Sequence, residues 1–109
     1  MFTPGHANDH VSLLLENEHA LFTGDNILGW GTGVFQDLQL YMASLRKAQD
    51  LAPTILYPAH GPVVGAGKAA AWIQMYISHR EQRVEQVARA LRSAGRAGLS
   101  LEMVAGTVY

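Results

Sequence analysis

The sequence predicts a mixed α/β fold in which each strand leads out of, or into, a polar cluster. Three observations carry that reading. Two short apolar runs, HVSLLLE (10–16) and ALFTG (20–24), flank the polar NEH; a helical stripe begins after Asp37; and a third apolar run, TILYP, follows Pro53 before a long periodic segment. The element order is therefore strand, strand, helix, strand, helix, which belongs to α/β or α+β architectures.

Each element has a local cause. The first two runs read as short buried strands in a hairpin. ILGWGTGVF, which follows Gly24-Asp25, holds three glycines and Trp30 and reads as an irregular loop. Asp37 is a good N-cap, after which Leu38, Tyr41, Met42, Leu45, Ala48 and Leu51 recur at three and four until Pro53 stops the helix. Residues 66–94 trace one apolar face through Ala69, Trp72 or Ile73, Tyr76 or Ile77, Val84, Val87 or Ala88, and Leu91, and end at Gly95. Ser100 is placed to cap a final short helix, with Glu102 in its first turn.

Composition bounds the chemistry. At 109 residues the chain is one small domain or a piece of a larger one, and 49% apolar with 16% charged residues is globular. No window approaches the roughly 18 apolar residues of a membrane span, and no signal pattern opens the chain, so neither a membrane nor a secretory role is expected. With no cysteine, disulfides and thiolate metal sites are excluded, leaving His, Asp and Glu as ligands. The net charge is −1, yet residues 80–96 hold five arginines against two glutamates. That asymmetry permits an anionic partner without requiring one.

Three turns share one design: His6 in TPGH, Asp25 in TGD and His60 in PAHG. Each sets a potential metal ligand beside a glycine, immediately before or after a predicted strand. Imidazole nitrogen and carboxylate oxygen suit zinc, and one carboxylate can bridge two ions. Singly, each turn is better read as ordinary turn chemistry. Asp9 and His10 follow His6 closely and are candidates to orient a ligand. His19 sits in the hairpin turn, where a solvated side chain is expected. His79 lies on the long helix and is left outside the metal set.

Together, TPGH with a following DH, FTGDNILG, VFQDLQLYMASL, ILYPAHGPVV and YISHR resemble the metallo-β-lactamase fold hydrolases along almost the whole chain. TPGH, GD and HG are shared by the superfamily; GDNILG and YISHR resemble a branch of endoribonucleases within it. The resemblance implies the C-terminal half of an αββα sandwich over residues 1–75. A connecting helix and the start of a winged-helix-like domain would occupy 76–109. It implies two zinc ions in a complete domain, with His6 on the first, Asp25 bridging both as the catalytic carboxylate, and His60 on the second.

The family's His-x-His-x-Asp-His loop, source of the other four ligands, would lie upstream of TPGH and does not occur in this sequence. The chain is therefore expected to be an inactive fragment or truncated isoform that needs the N-terminal half. The implied activity is cleavage of single-stranded RNA by metal-activated water, with Arg80 and Arg83 as candidate phosphate contacts. The resemblance implies the mitochondrial matrix; without a targeting segment, the cytoplasm is the alternative. A glyoxalase II-type thioesterase and a non-catalytic truncated protein are the competing functions. Trp30 and Tyr57 flank ligand turns and could wall a substrate groove, whereas Trp72 reads as core. Ala7 and Ala59 depart from the usual threonine and glycine, and Ala59 would matter only if its backbone required a positive φ.

Overall fold

The computed structural model describes residues 1–95 and Ser100. The final short helix expected after Ser100 lies outside them. Two compact units divide the chain, Met1–Ile77 and Ser78–Tyr109.

The first unit holds a three-stranded sheet ordered β1-β2-β3. β1 (Leu13–Leu15) and β2 (Ala20–Gly24) form the expected hairpin, pairing antiparallel with Leu14 opposite Leu21. β3 (Ile55–Pro58) pairs parallel with β2, with Leu56 beside Leu21. Two adjacent parallel strands need a crossover, which α1 (Leu38–Leu51) supplies. β1 is shorter than the run 10–16, because Val11 instead bridges Phe2, and a second bridge ties Leu56 to Val64.

Period-2 alternation sorts the sheet into two faces. Leu21 and Leu56, both 0% exposed, join Tyr41 and Leu45 of α1 and Ile73 and Tyr76 of α2 (Ala69–Ala94) in one buried cluster. The opposite face carries Leu13 at 62% and Phe22 at 43% exposure, with Tyr57 stacked on Phe22 at 4.9 Å between ring centroids. β1 is thus half-exposed rather than buried, because only one face of the sheet is packed by the two helices' residues.

Local chemistry sets the helix ends. Asp37 Oδ1 accepts the Leu40 amide at 2.9 Å, as its N-cap role predicts. Ala52 closes α1 in the left-handed region, φ 48°, immediately before Pro53, which disfavours a helical residue ahead of it. The boundary between the two units falls within α2. Its Ala69, Ile73, Tyr76 and Ile77 are buried as the stripe predicts, but Val84 and Leu91 are 50% and 46% exposed. The periodicity there is covered only in part, with Val87 and Ala88 half-buried and Ala90 buried. No described helix is long and apolar enough to cross a membrane.

His19 is exposed, as expected of the hairpin turn, and it also makes a contact that the sequence does not announce. Its backbone is left-handed, φ 51°, and its Nε2 lies 2.7 Å from the Leu51 carbonyl oxygen, where it donates. Helix termini leave their last carbonyls without partners, so the hairpin turn closes the end of α1. Thr54 N–H donates to the His19 carbonyl at 2.9 Å and reinforces the strap. Replacing His19 with alanine is expected to cost about 1 kcal/mol, the worth of a typical hydrogen bond. Urea unfolding should register the loss; an unchanged midpoint would show the strap contributes nothing.

Candidate metal centre

Packing brings His6, Asp25 and His60 to one end of the sheet. Asp25 directly follows β2, and His60 lies two residues beyond β3; because those strands are parallel neighbours, the two turns emerge side by side. Ala59 N–H donates to the Gly24 carbonyl at 3.0 Å, and Gly29 N–H to the His60 carbonyl at 2.8 Å. His6 arrives from the N-terminal segment, which is held at Thr3 by an amide hydrogen bond to the His10 carbonyl at 3.0 Å. Ala59 is not among the residues with positive φ. Its departure from glycine therefore introduces no strain.

The side chains face one another. His6 Nε2 lies 3.6 Å from Asp25 Oδ2, and His60 Nε2 lies 3.2 Å from Asp25 Oδ1. Each imidazole thus addresses a different carboxylate oxygen. Two donors on a single tetrahedral zinc, each at about 2.0–2.1 Å, stand roughly 3.3 Å apart. The observed separations suit donors that share an ion. His6 Nδ1 lies 2.8 Å from the Val34 carbonyl oxygen; a carbonyl can only accept, so Nδ1 carries a proton, and in the neutral ring Nε2 is then the nitrogen available to a metal ion. A ligating histidine is commonly oriented in this way.

The donor set fits divalent metal and is incomplete for it. Among the described residues, no group of three or more His, Asp or Glu side chains is arranged to hold one ion by itself. The split of the carboxylate explains this. Each oxygen has one imidazole beside it, giving two donors per ion position against the four of a structural zinc site or the three of a catalytic one.

His10 and Asp9 separate in their surroundings. His10 Nε2 accepts the Asp25 backbone N–H at 3.2 Å, and Nδ1 meets Thr3 Oγ1 at 3.0 Å. Burial pushes the His10 imidazole below its ordinary pKa, with His6 adding to the shift. Asp9 is exposed in the turn and reaches His10 through its charge. Arg80 and Arg83 lie in the second unit, where Arg83 donates to Gln86 at 3.1 Å. Arg89 and Arg92 converge on Glu85 at 3.1 and 2.9 Å and hold its carboxyl below the usual range. His79 also belongs to that unit, its pKa lowered by burial and then by Arg80 and Arg83.

Three aromatic residues position the loop after Asp25, beyond what their place in apolar stripes announces. Tyr41 Oη donates to the Asn26 carbonyl at 2.6 Å, Leu28 N–H donates to Tyr76 Oη at 2.9 Å, and Trp72 Nε1 donates to the Leu28 carbonyl at 2.8 Å. Trp72 packs against the core as expected and also ties down this loop. The only hint in the sequence is that tyrosine and tryptophan carry a polar tip, which seeks a partner when buried. Trp30, by contrast, is 59% exposed, and Tyr57 is engaged with Phe22.

A small sheet with two helices, whose strand-end turns gather two imidazoles about a shared carboxylate, defines a protein of metallo-β-lactamase fold. The family model described as the metallo-beta-lactamase superfamily matches residues 1–60, and the chain belongs to that superfamily. The chain is 50% identical over 90 residues to the beta-lactamase-like protein 2 homolog of Caenorhabditis elegans, covering 83% of this chain and 30% of the relative. It is 45% identical over 114 residues to the lactamase-like protein vrtG of Penicillium aethiopicum, covering 100% of this chain and 36% of the relative. The crystal structure of a metallo-beta-lactamase family protein from Thermus thermophilus superposes with a TM-score of 0.72 at 24% identity, over 84% of this chain and 32% of that one. That likeness shows the fold. The chain thus spans about a third of the length of these relatives. Superfamily members are hydrolase-like and usually bind metal ions.

Proposed function

We propose that these residues form part of a metal-dependent hydrolase centre whose substrate is the phosphodiester of single-stranded RNA. The observation that carries the metal reading is the facing of His6 and His60 across the two oxygens of Asp25. Bound divalent ions, zinc foremost, would supply Lewis acidity that lowers the pKa of water and offsets negative charge on the reacting group. His6, Asp25 and His60 are the residues that would hold them. The backbone bonds that tie the Asp25 and His60 turns together keep those three side chains in register. Three donors are too few for two tightly held ions, so the 109 residues alone should bind metal weakly and hydrolyse negligibly.

The RNA assignment is supported by the branch strings GDNILG and YISHR, with Arg80 and Arg83 as candidate phosphate contacts. A thioesterase of glyoxalase II type would use the same ligands on a different ester. A fusion that joins an N-terminal half carrying the family's His-x-His-x-Asp-His loop ahead of Met1 distinguishes them. With zinc it should cleave single-stranded RNA and leave an acyl-glutathione thioester intact. Turnover of the thioester alone would overturn the RNA reading. Metal analysis of the 109-residue chain supplies the second arm, where two tightly held zinc ions would contradict the incomplete set. The mitochondrial matrix remains the compartment proposed from the resemblance.

A further inference from the structure

We propose that His10 is a positioning residue that clamps the backbone of Asp25 through a fixed ring tautomer, with Thr3 and Ser12 behind it. The chemistry of the partners decides the tautomer. A backbone N–H only donates, and that of Asp25 points at His10 Nε2 from 3.2 Å. Nε2 must therefore carry the lone pair, which places the proton on Nδ1 of the neutral ring. Nδ1–H then donates to Thr3 Oγ1 at 3.0 Å, and Thr3 Oγ1 exchanges a further hydrogen bond with Ser12 Oγ at 2.9 Å. Thr3 and Ser12 are 1% and 3% exposed, so water does not compete for this chain of bonds.

Asn26, the next residue after Asp25, is held as well. Asn26 Nδ2 donates to the Thr3 carbonyl at 2.8 Å, and Asn26 N–H to the Thr23 carbonyl at 3.2 Å. Gly24 records how closely the ring approaches. Its φ is +56°, and a Cβ there would lie 2.5 Å from His10 Nε2. Any side chain at position 24 would push the imidazole off the Asp25 amide. His10 thereby acts on the carboxylate indirectly, leaving both Asp25 oxygens to face His6 and His60.

The hydrogen-bond clamp stands on these contacts alone; its consequence for metal rests on the metal-centre reading. The test separates the two. Long-range ¹⁵N–¹H spectra of the metal-free 109-residue chain should show His10 protonated at Nδ1, and the Asp25 amide should exchange slowly with deuterium. His10→Phe should speed that exchange at least tenfold, whereas His10→Gln, whose Oε1 can accept at the Nε2 position, should restore it. An Nε2-protonated ring, or equal exchange in wild type and His10→Phe, would overturn the clamp. In a Co²⁺ titration, His10→Phe should weaken binding by roughly 10–100-fold, typical for groups that orient a ligand, while His10→Gln stays close to wild type. Equal Co²⁺ affinity in His10→Phe and wild type would show that the clamp does not position the ligand. A wild-type chain that takes up no Co²⁺ counts against the metal centre, and the ring spectrum then still decides the clamp.

Discussion

Asp25→Ala should remove divalent metal binding from this chain almost completely, by roughly 100-fold or more, because both imidazoles lose their common partner at once. His6 and His60 each face a separate oxygen of that one carboxylate. Either histidine variant should be milder, since the carboxylate and one imidazole remain. Asp25→Asn is the more informative companion: it retains the backbone amide that His10 accepts but replaces one anionic oxygen with a donor. It should resemble Asp25→Ala in metal affinity and wild type in stability, because the side chain is 39% exposed and outside the core. Calorimetric titration with zinc checks the affinities. Wild-type affinity in Asp25→Asn would remove the carboxylate from the centre.

The second large effect is expected of Gly29→Ala. A Cβ at position 29 would lie 2.1 Å from the Pro62 carbonyl oxygen and 2.6 Å from the Pro62 nitrogen. Both are backbone atoms, so no side chain can swing aside. The loop that follows Asp25 and the loop that carries His60 must separate, which strains the Gly29–His60 hydrogen bond of 2.8 Å. Overpacking of this kind costs about 1–3 kcal/mol, and weakening the hydrogen bond adds about 1 kcal/mol. Metal affinity should fall too, since the two turns share the centre. Gly65→Ala is the matched control, because nothing lies within 4 Å of its Cβ and its φ is not in the left-handed region. Equal unfolding midpoints for the two variants would show that the close approach is not required.

Much of the fold was legible because its local signals agree. Asp37 caps where an Asp is expected to cap, Pro53 ends α1, and Gly95, at φ +61°, follows the last residue of α2. β1 was legible as a strand but not in its exposure: alternation marks two faces without saying which is covered. Val84 and Leu91 teach the same lesson on a helix, where an apolar period of about 3.6 identifies a stripe and leaves its partner unspecified. His19 is the exposed turn residue that the sequence predicts, but its hydrogen bond was not legible because its partner, the Leu51 carbonyl, is 32 positions away.

The candidate centre divides along the same line. His6, Asp25 and His60 could be singled out by sequence because each ligand sits beside a turn glycine, and the superfamily resemblance joined them. His10 and Asp9 were indistinguishable there as supporting residues, being adjacent and both polar. Tertiary structure separates them by turning the His10 ring to the Asp25 amide and Asp9 to solvent. By itself the sequence determined the element types, both ends of α1, the C-terminal end of α2 and which groups are candidates to ligate metal, since propensity, capping and donor chemistry are properties of a residue and its near neighbours. Only the tertiary structure decided which oxygen each imidazole faces, which backbones touch and which ring nitrogen holds a proton. Those depend on the parallel pairing of β2 with β3, which sets turns 35 residues apart side by side.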